Sequence, residues 1–310
     1  MTDSRIHPLQ PRRYLGLELA GAKNPKTSLS VLEFYPKEGK VFLLDVYDHI
    51  QNAEHETGDE ALLETLQEVT SQENQRISKL GVNVPTELPP CIPCTKKTCP
   101  LPAKCTVPTV KWMRETVKKC TDQDLAGINI REFTPYTQRP FEIWARYHIL
   151  SKLPESHRFE IDEALGGNKA PLTSRIHFLK KHLSSIQMVE VWPKLAIAAL
   201  ATDLPISKKT ISNYRKPEQG YQSRLELLEC IALKRGVFIY DRDLKKLAGS
   251  LTAFDSFLCA YIALLSDLGL TVKPPKGFPK SSTWVHYTPL KKITKTHLKD
   301  EEDELSNEEY

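Results

Sequence analysis

Apolar and polar positions alternate with a period of two in three early segments, RRYLGLELA, TSLSVLEFYP and KVFLLDVYDHI. This spacing predicts β-strands, because successive side chains of a strand point to opposite faces of its sheet. The second and third segments are joined by KEGK, a short glycine-containing turn that suits a hairpin. The chain is therefore predicted to begin as an antiparallel meander.

A helix and a fourth strand are predicted next. The segment DEALLETLQEVTSQ places Ala61, Leu62, Leu66 and Val69 at helical spacing, which predicts a helix that packs across the sheet. The segment RISKLGVNVP then predicts a strand that ends at Pro85, because proline has no N–H group for a sheet ladder. Strand, hairpin, helix and strand is a typical beginning of an α/β fold.

The alternation is interrupted at residues 86–168, a region rich in proline and cysteine with two helix-like segments, TVKWMRETVKKC and RPFEIWARYHILSKL. We interpret this region as a partly helical insertion in a core domain that spans residues 1–275. Residues 276–310 are polar and end in KDEEDELSNEEY, which predicts a solvated acidic tail. The other predicted elements are the helices APLTSRIHFLKKHL, PKLAIAALA, RLELLECIALKRG and TAFDSFLCAYIALLSDLG and the strand IQMVEVWP.

The composition, with 40% hydrophobic and 26% charged residues, is that of a globular protein. The formal charge of +4 permits a polyanionic partner without requiring one. No apolar run approaches the roughly 20 residues of a membrane span, and the opening MTDSRIHPLQPRR lacks the apolar core of a secretory signal. We therefore expect a cytoplasmic protein with no membrane partner.

Acidic and amide side chains interrupt four elements that are otherwise apolar. Glu18 lies in the first strand, Asn83 in the fourth, Glu190 in MVEVWP and Asp255 in the last helix. Carboxylates at the ends of adjacent strands can hold divalent cations that activate water and stabilise a leaving oxygen in phosphodiester hydrolysis. Structural roles are the alternative: Asp255 stands three residues after Thr252, a helix-capping pattern, and Glu190 could pair with a lysine or arginine.

The order of these elements and acids resembles the ribonuclease H-like fold, and more specifically the family catalogued as domain of unknown function 429. Members of that family are bacterial and archaeal proteins predicted to be nucleases. The resemblance implies a mixed sheet flanked by helices, with Glu18, Glu190 and Asp255 holding Mg²⁺ or Mn²⁺. It is carried by the segments GLELAGAK, GVNVPTELPPC, APLTSRIHFLKKHL, VEVWPKLA and TAFDSFLCAYIALL.

Two positions depart from the pattern of that family. Glu18 stands where aspartate is common, and Asn83 stands where an aspartate usually precedes the proline. Glu18 keeps the charge, whereas an amide at position 83 weakens the binding of a cation. The resemblance therefore implies a metal-dependent nuclease or phosphodiesterase, with a catalytically inactive ribonuclease H-like binding module as the alternative.

Four cysteines are spaced C-x2-C-x4-C-x5-C, at Cys91, Cys94, Cys99 and Cys105. Thiolates so arranged suit a structural Zn²⁺ or, less favourably, an iron–sulfur cluster, and spacing alone does not separate the two. Such a site would brace the insertion where it leaves the fourth strand. The alternatives are four reduced free thiols, or the substitution of Cys120 for Cys105.

Basic residues near these segments are candidates for binding the phosphates of a nucleic acid, either DNA or RNA. With Asn83, we expect Lys23, Arg139 and Arg175 to contact the substrate. The chain contains no P-loop, no G-x-G-x-x-G and no G-x-S-x-G motif. This argues against a glycine-loop nucleotide site and against hydrolysis through a covalent serine.

Overall fold

The computed structural model describes residues 10–21, 26–71, 77–121 and 133–291. Within these ranges the chain forms a mixed seven-stranded sheet flanked by helices. The strands are β1 Arg12–Glu18, β2 Ser28–Tyr35, β3 Lys40–Tyr47, β4 Ile77–Val82, β5 Met188–Val191, β6 Val237–Phe238 and β7 Val285–His286. The α-helices are α1 Gly58–Ser71, α2 Leu101–Lys104, α3 Pro108–Thr121, α4 Pro140–Trp144, α5 Lys169–Leu179, α6 Pro193–Leu200, α7 Lys208–Asn213, α8 Gly220–Arg235, α9 Asp241–Gly249 and α10 Leu251–Asp267.

The sheet has the strand order β6-β3-β2-β1-β4-β5-β7. Strands β1, β2 and β3 form the predicted antiparallel meander, while β4 pairs with β1 in parallel and β5 pairs with β4 in parallel. The predicted meander, the helix α1 and the fourth strand are thus confirmed. Because β1, β4 and β5 run in the same direction, their carboxyl ends lie at one edge of the sheet.

The two faces of the sheet are covered by different helices. Leu15 and Leu17 of β1 pack in one apolar cluster with Leu62 of α1 and Ile176 of α5. Tyr14 of β1 packs on the other face, in a cluster that contains residues of α8, α9 and α10. The assignment of each β1 side chain to a face follows from the period of two along the strand.

Helix α10 lies directly against the strand backbone because two glycines leave room for it. A Cβ atom on Gly16 would lie 2.0 Å from the carbonyl oxygen of Ser256, and one on Gly81 would lie 2.1 Å from that of Cys259. Gly16, which shares a face of β1 with Glu18, therefore has a packing reason, which is the close approach of α10. Among the described residues, no single helix is long and apolar enough to cross a membrane.

The insertion and part of the predicted tail are packed into the same body. Phe141 of α4 lies in an apolar cluster with Leu195 of α6 and with Trp284 and Tyr287, and β7 pairs with β5. The polar tail was therefore predicted to begin too early, because β7 has only two residues and shows no alternation. Residues 292–310, which carry the acidic end of the chain, lie outside the described ranges.

The helices predicted within the insertion are confirmed at α3 and α4. Helix α4 continues into a π-helical turn at Ala145–Ile149 and a 3-10 turn at Leu150–Lys152. A second 3-10 turn at Glu155–His157 leads into the loop that precedes α5. This loop reaches the edge of the sheet where the carboxyl ends of β1 and β4 lie.

Candidate functional site

A cavity of about 310 Å³ opens at the carboxyl ends of β1 and β4. Glu18 and Asn83 line it from these two strands, and the loop before α5, the beginnings of α5 and α6 and the α7–α8 connection supply the remaining wall. Its lining includes two aromatic side chains and three cations. These are Phe159, Trp192, Lys169, Lys194 and Arg215.

Glu18 and Asn83 are neighbours because β1 and β4 are paired in parallel. Leu17 is in register with Val82, and the backbone N–H of Asn83 donates to the carbonyl oxygen of Leu17 over 3.2 Å. The Asn83 side chain then donates from Nδ2 to Oε2 of Glu18 over 2.6 Å. The strand pairing thus brings a carboxylate and an amide together, as the sequence predicts for adjacent strand ends.

Asp255 approaches the same point from α10. Burial, followed by the charge of Asp255, raises the pKa of Glu18 to about 8, while Lys169 and the Asn83 hydrogen bond act in the opposite direction. Burial also raises the pKa of Asp255, against the lowering effect of Arg215. Burial and the charge of Asp255 therefore disfavour the anionic form of Glu18, which is an electrostatic setting that favours an added cation.

Two cations already approach these acids. Lys169 donates from Nζ to the backbone oxygen of Asn83 over 3.0 Å. Arg215 donates from Nη1 to both carboxylate oxygens of Asp255, over 2.9 and 3.2 Å, and about a third of its side chain is exposed (33%). Arg215 therefore lies between the buried Asp255 and the cavity.

The capping alternative for Asp255 is wrong. The side chain that caps the beginning of α10 belongs to Ser250, whose Oγ accepts from the backbone N–H of Ala253 over 3.3 Å. Asp255 lies further along the helix and pairs with Arg215 instead. Its conspicuous position in an apolar helix therefore has an electrostatic explanation at the cavity.

Glu190 lies on the opposite face of the sheet from Glu18. It is in register with Val82, which packs with Leu15 in the cluster on the α5 face. Its neighbours Val189 and Val191 pack with residues of α10 on the other face. The structure therefore does not bring Glu190 together with Glu18 and Asp255, because strand alternation turns its side chain away from α10.

A buried arginine satisfies Glu190. Arg139 donates from Nη1 and Nη2 to the two oxygens of Glu190, each over 2.7 Å, and from Nε and Nη2 to Glu142 over 2.9 and 2.7 Å. The backbone N–H of Thr86 and the indole N–H of Trp192 also donate to Glu190, each over 3.0 Å. The alternative that Glu190 pairs with a basic residue is confirmed, and we call Arg139, Glu142 and Glu190 the buried ion cluster.

The pKa values of the two acids in the buried ion cluster shift in opposite directions. Burial raises the pKa of Glu142 to about 7, against the lowering effect of Arg139. For Glu190, burial alone would raise the pKa, but the charge and hydrogen bonds of Arg139 hold it below its ordinary value. Arg139 is 1% exposed, so the predicted contact between this guanidinium and a substrate phosphate is not available.

The other predicted phosphate contacts also lie elsewhere. Arg175 donates from Nε to Asp59 over 2.7 Å and from Nη1 to the backbone oxygen of Ala20 over 2.6 Å. It is buried, and it connects the beginning of α1 to the β1–β2 connection rather than facing the cavity. Lys23 lies outside the described residues.

The cations that do line the cavity are Lys169, Lys194 and Arg215, and sequence reasoning missed them. Lys169 is the first residue of α5 and Lys194 is the second residue of α6. A lysine is unfavourable there because the helix dipole places partial positive charge at the amino end. That local mismatch is the signal that could have found the two lysines.

The clustered thiols differ in exposure. Cys105 is buried, Cys91 is half-buried, and Cys94 and Cys99 are exposed. Burial raises the pKa of the Cys91 thiol, and Cys105, Cys94 and Cys99 add to this, so these three thiols lie within electrostatic reach of Cys91. In the described part of the chain, no three His, Cys, Asp or Glu side chains are grouped as a metal site.

The alternative ligand Cys120 lies in a different environment. It is buried in an apolar cluster with Met113, Ile143 and Tyr147, and its Sγ lies 4.0 Å from Nε2 of His148. Its surroundings are those of a core residue, so the described structure favours Cys105 over Cys120 as the fourth thiol of the cluster.

Comparison of the chain with known protein families, with curated proteins and with solved structures finds no match. The resemblance to the domain of unknown function 429 family therefore stays a prediction. The described residues form an α/β protein with a mixed seven-stranded sheet between helices and a charged cavity at the carboxyl ends of two central strands.

Proposed function

We propose that this protein is a divalent-metal-dependent nuclease, or a related phosphodiesterase, with a ribonuclease H-like fold. The central strand order β3-β2-β1-β4-β5, with β2 antiparallel to its neighbours, is compatible with that fold. The observation that carries the proposal is the convergence of Glu18, Asn83 and Asp255. They come from β1, β4 and α10 and meet beside a cavity lined by cations.

The donor set suits a hard cation such as Mg²⁺ or Mn²⁺. Carboxylate and amide oxygens are the ligands that these ions take in proteins. The raised pKa of Glu18, caused by burial and by Asp255, supports the same assignment because a nearby cation would favour both anions. Glu18 and Asp255 would hold the metal, Asn83 would be a weaker contact, and the ion would supply water activation and charge neutralisation.

The chain's own cations suit a phosphodiester substrate. Lys169 and Arg215 flank Glu18, and Lys194 lies further along the same lining. Charged side chains that contact phosphate oxygens position a nucleic acid without reading its sequence. A phosphate in the cavity would compete with Asp255 for Arg215, so binding of the substrate would free a carboxylate next to the metal.

A non-catalytic binding module is the second candidate. It is favoured by the ion pair in which Arg215 engages both oxygens of Asp255, and by the neutral amide of Asn83. Together with Lys169, these groups offset much of the negative charge that a metal would need. In this function the cavity would bind the nucleic acid and leave it intact.

The deciding experiment is a cleavage assay on labelled single-stranded, duplex and branched DNA and RNA with Mn²⁺, Mg²⁺ or EDTA. We expect cleavage that requires metal and is lost in Glu18→Gln. The matched control is Glu229→Gln on the exposed side of α8, which should cleave like the parent protein. Absence of cleavage on every substrate, from folded protein, would leave the binding module as the function.

An Asn83→Asp variant separates the two candidates further. It restores the acid that the resemblance places before the proline, so a weakened enzyme should cleave faster with Mn²⁺. A binding module should show no cleavage before or after the substitution. The measurement is the initial rate at saturating metal, compared with an Asn83→Ala variant that also loses the hydrogen bond to Glu18.

We also propose a structural metal, Zn²⁺ or less favourably an iron–sulfur cluster, on Cys91, Cys94, Cys99 and Cys105. The soft donor set, the regular spacing and the electrostatic proximity of the thiols support it. Closure of the loop is also supported by the hydrogen bond from Lys96 Nζ to Thr106 Oγ1, over 2.7 Å. The exposed Cys94 and Cys99 would move towards Cys91 and Cys105 when metal binds.

Elemental analysis after purification in chelator-free buffer tests this site. We expect one Zn²⁺ per chain that Cys91→Ser loses and Cys230→Ser keeps, since Cys230 lies on α8 against the main core. Visible absorption would identify an iron–sulfur cluster instead. A folded, metal-free protein with unchanged stability in chelator would contradict the proposal.

A further inference from the structure

One aromatic side chain of the cavity lining, Trp192, is held in place by a hydrogen bond and by a ring contact. The indole N–H of Trp192 donates to Oε1 of Glu190 over 3.0 Å, and Phe141 packs edge-to-face on the ring with centroids 4.9 Å apart. Trp192 is nevertheless only half-buried and lines the cavity. An aromatic ring that is fixed at its edge and open at the cavity is suited to stacking against a flat ligand.

A second aromatic ring lines the same cavity. Phe159 is half-buried and belongs to the loop before α5, whereas Trp192 directly follows β5. The apolar side chains Ile161 and Leu172 also belong to the lining. This part of the cavity therefore offers apolar and aromatic surface to a ligand whose other end is polar.

Charged groups belong to the same lining. Lys194 Nζ lies 3.1 Å from Oδ2 of Asp162, which leaves an ion pair with about a third of the lysine side chain exposed (31%). Lys169 and Arg215 lie beside the Glu18 carboxylate. The cavity thus combines stacking surface with cations beside the candidate metal site, which is the chemistry of a nucleotide with its phosphate.

The size of the cavity limits how much of a nucleic acid can enter. A volume of about 310 Å³ corresponds to a small-molecule site rather than to a groove for a double helix. A base inside a duplex is stacked and paired, so it must leave the helix before it can enter such a pocket. A base of a single strand has no such cost.

We propose that the cavity binds one unpaired nucleotide of a single-stranded nucleic acid, with its base against Trp192 and Phe159 and its phosphate near Lys169 and Arg215. This names the substrate class of the proposed function and rests on that function. It also assigns Glu190 a positioning role, because its hydrogen bond holds the indole of Trp192. The buried ion cluster then supports the site from the other face of the sheet.

The test is the binding of fluorescently labelled oligonucleotides in EDTA, measured by anisotropy with single-stranded, duplex and mononucleotide ligands. We expect single strands to bind most tightly. Phe159→Leu and Trp192→Leu should each weaken the affinity for single strands by about 5- to 100-fold. Trp192→Phe should keep most of the affinity but lose the quenching of tryptophan fluorescence by the base. Phe238→Leu, an exposed aromatic at the far edge of the sheet, should bind like the parent protein.

Because the assay needs neither metal nor cleavage, it separates this inference from the nuclease proposal. Aromatic-dependent binding of single strands without cleavage in the companion assay would uphold this inference while the nuclease function fails. Equal affinity for duplex, tighter binding of the mononucleotide than of the strand, or unchanged affinity in Phe159→Leu would each overturn it. Phe159→Leu decides the outcome if Trp192→Leu does not fold.

Discussion

In the described part of the chain, the buried ion cluster lies on one face of the sheet, and Glu18 and Asp255 lie on the other. In the buried ion cluster, Glu190 and Glu142 share one arginine, and both oxygens of Glu190 accept hydrogen bonds. On the other face, beside an open cavity, burial raises the pKa of both Glu18 and Asp255, and the charge of Asp255 raises that of Glu18 further. An acid in an apolar element can therefore be a satisfied structural charge or a candidate ligand, and its partners decide which.

The difference lies in how completely the charge is compensated. A buried charge with its full set of donors is costly to disturb but has no remaining capacity for a ligand. A carboxyl pair with an elevated pKa keeps that capacity, because a cation can replace its protons. Substitutions in the buried ion cluster should consequently lower the stability of the protein. Substitutions at Glu18 and Asp255 should change its response to metal.

The largest effect on stability is expected from Arg139→Met. It leaves Glu142 and Glu190 buried without their cation, and breaking a buried ion pair in this way typically costs about 3–5 kcal/mol. Urea denaturation would measure the loss of free energy of unfolding. A loss below about 1 kcal/mol would mean that the cluster is compensated by groups other than Arg139.

A smaller loss is expected from Gly16→Ala, which acts on the other face. Its Cβ would collide with the backbone of α10, and overpacking of this kind costs roughly 1–3 kcal/mol. The displaced helix would carry Asp255 away from Glu18, so the stabilisation of the protein by Mn²⁺ should fall as well. Gly21→Ala is the matched control, because a Cβ there meets no atom within 4 Å.

The pH dependence of stability should distinguish the Glu18 and Asp255 site from the buried ion cluster. Since the pKa of Glu18 is raised in the folded protein, the folded state binds more protons than the unfolded state between about pH 4.5 and about pH 8. The contribution of Glu18 to stability is therefore present at low pH and lost as the pH rises through that window. Thermal unfolding should show this decline in the parent protein and a weaker one in Glu18→Gln.

The stabilisation of the protein by metal should increase with pH, whereas the contribution of the Glu18 proton to stability decreases. Cations compete with the protons of Glu18, so Mn²⁺ should raise the melting temperature more at about pH 9 than at about pH 6. An equal shift at both pH values, or the same shift in Glu18→Gln, would place the bound metal elsewhere in the protein.

The smallest effect on stability is expected from Lys194→Gln. Its ion pair with Asp162 is partly exposed, so the free energy of unfolding should change by no more than about 0.5 kcal/mol. Single-strand binding should weaken, and the slope of its salt dependence should fall by about one, as expected when one phosphate contact is removed. An unchanged slope would show that Lys194 does not reach the backbone of the nucleic acid.

Local patterns were sufficient where the side chains on the two faces of an element differ in polarity or size. The strands β1 to β4 and the helix α1 could be predicted because alternation and helical spacing are visible in their side chains. The same reasoning marked Glu18, Asn83, Glu190 and Asp255 as unusual. It did not assign Glu190 to a face, because β5 is buried on both sides and shows no alternation from which a face could be inferred.

The partners of these residues come from distant parts of the chain. Arg139 and Glu190 are separated by 51 positions, and Arg215 and Asp255 by 40. No local rule connects such pairs, since they meet only when the insertion and the α7–α8 connection pack onto the sheet. Arg139 and Arg175 were therefore predicted at a substrate site, whereas Lys169 and Lys194 were overlooked.

By itself, the sequence determined the elements of the central sheet, the exceptional acids within them and the clustered thiols, because these are properties of neighbouring residues. The tertiary structure decided which acids share a site, which cations face the cavity and which are used in ion pairs. The physical reason is that the groups around an acidic side chain decide its protonation and whether it can still bind a ligand. For Glu18 those surroundings are a helix that two glycines admit to the sheet, and for Glu190 they are an arginine on the opposite face.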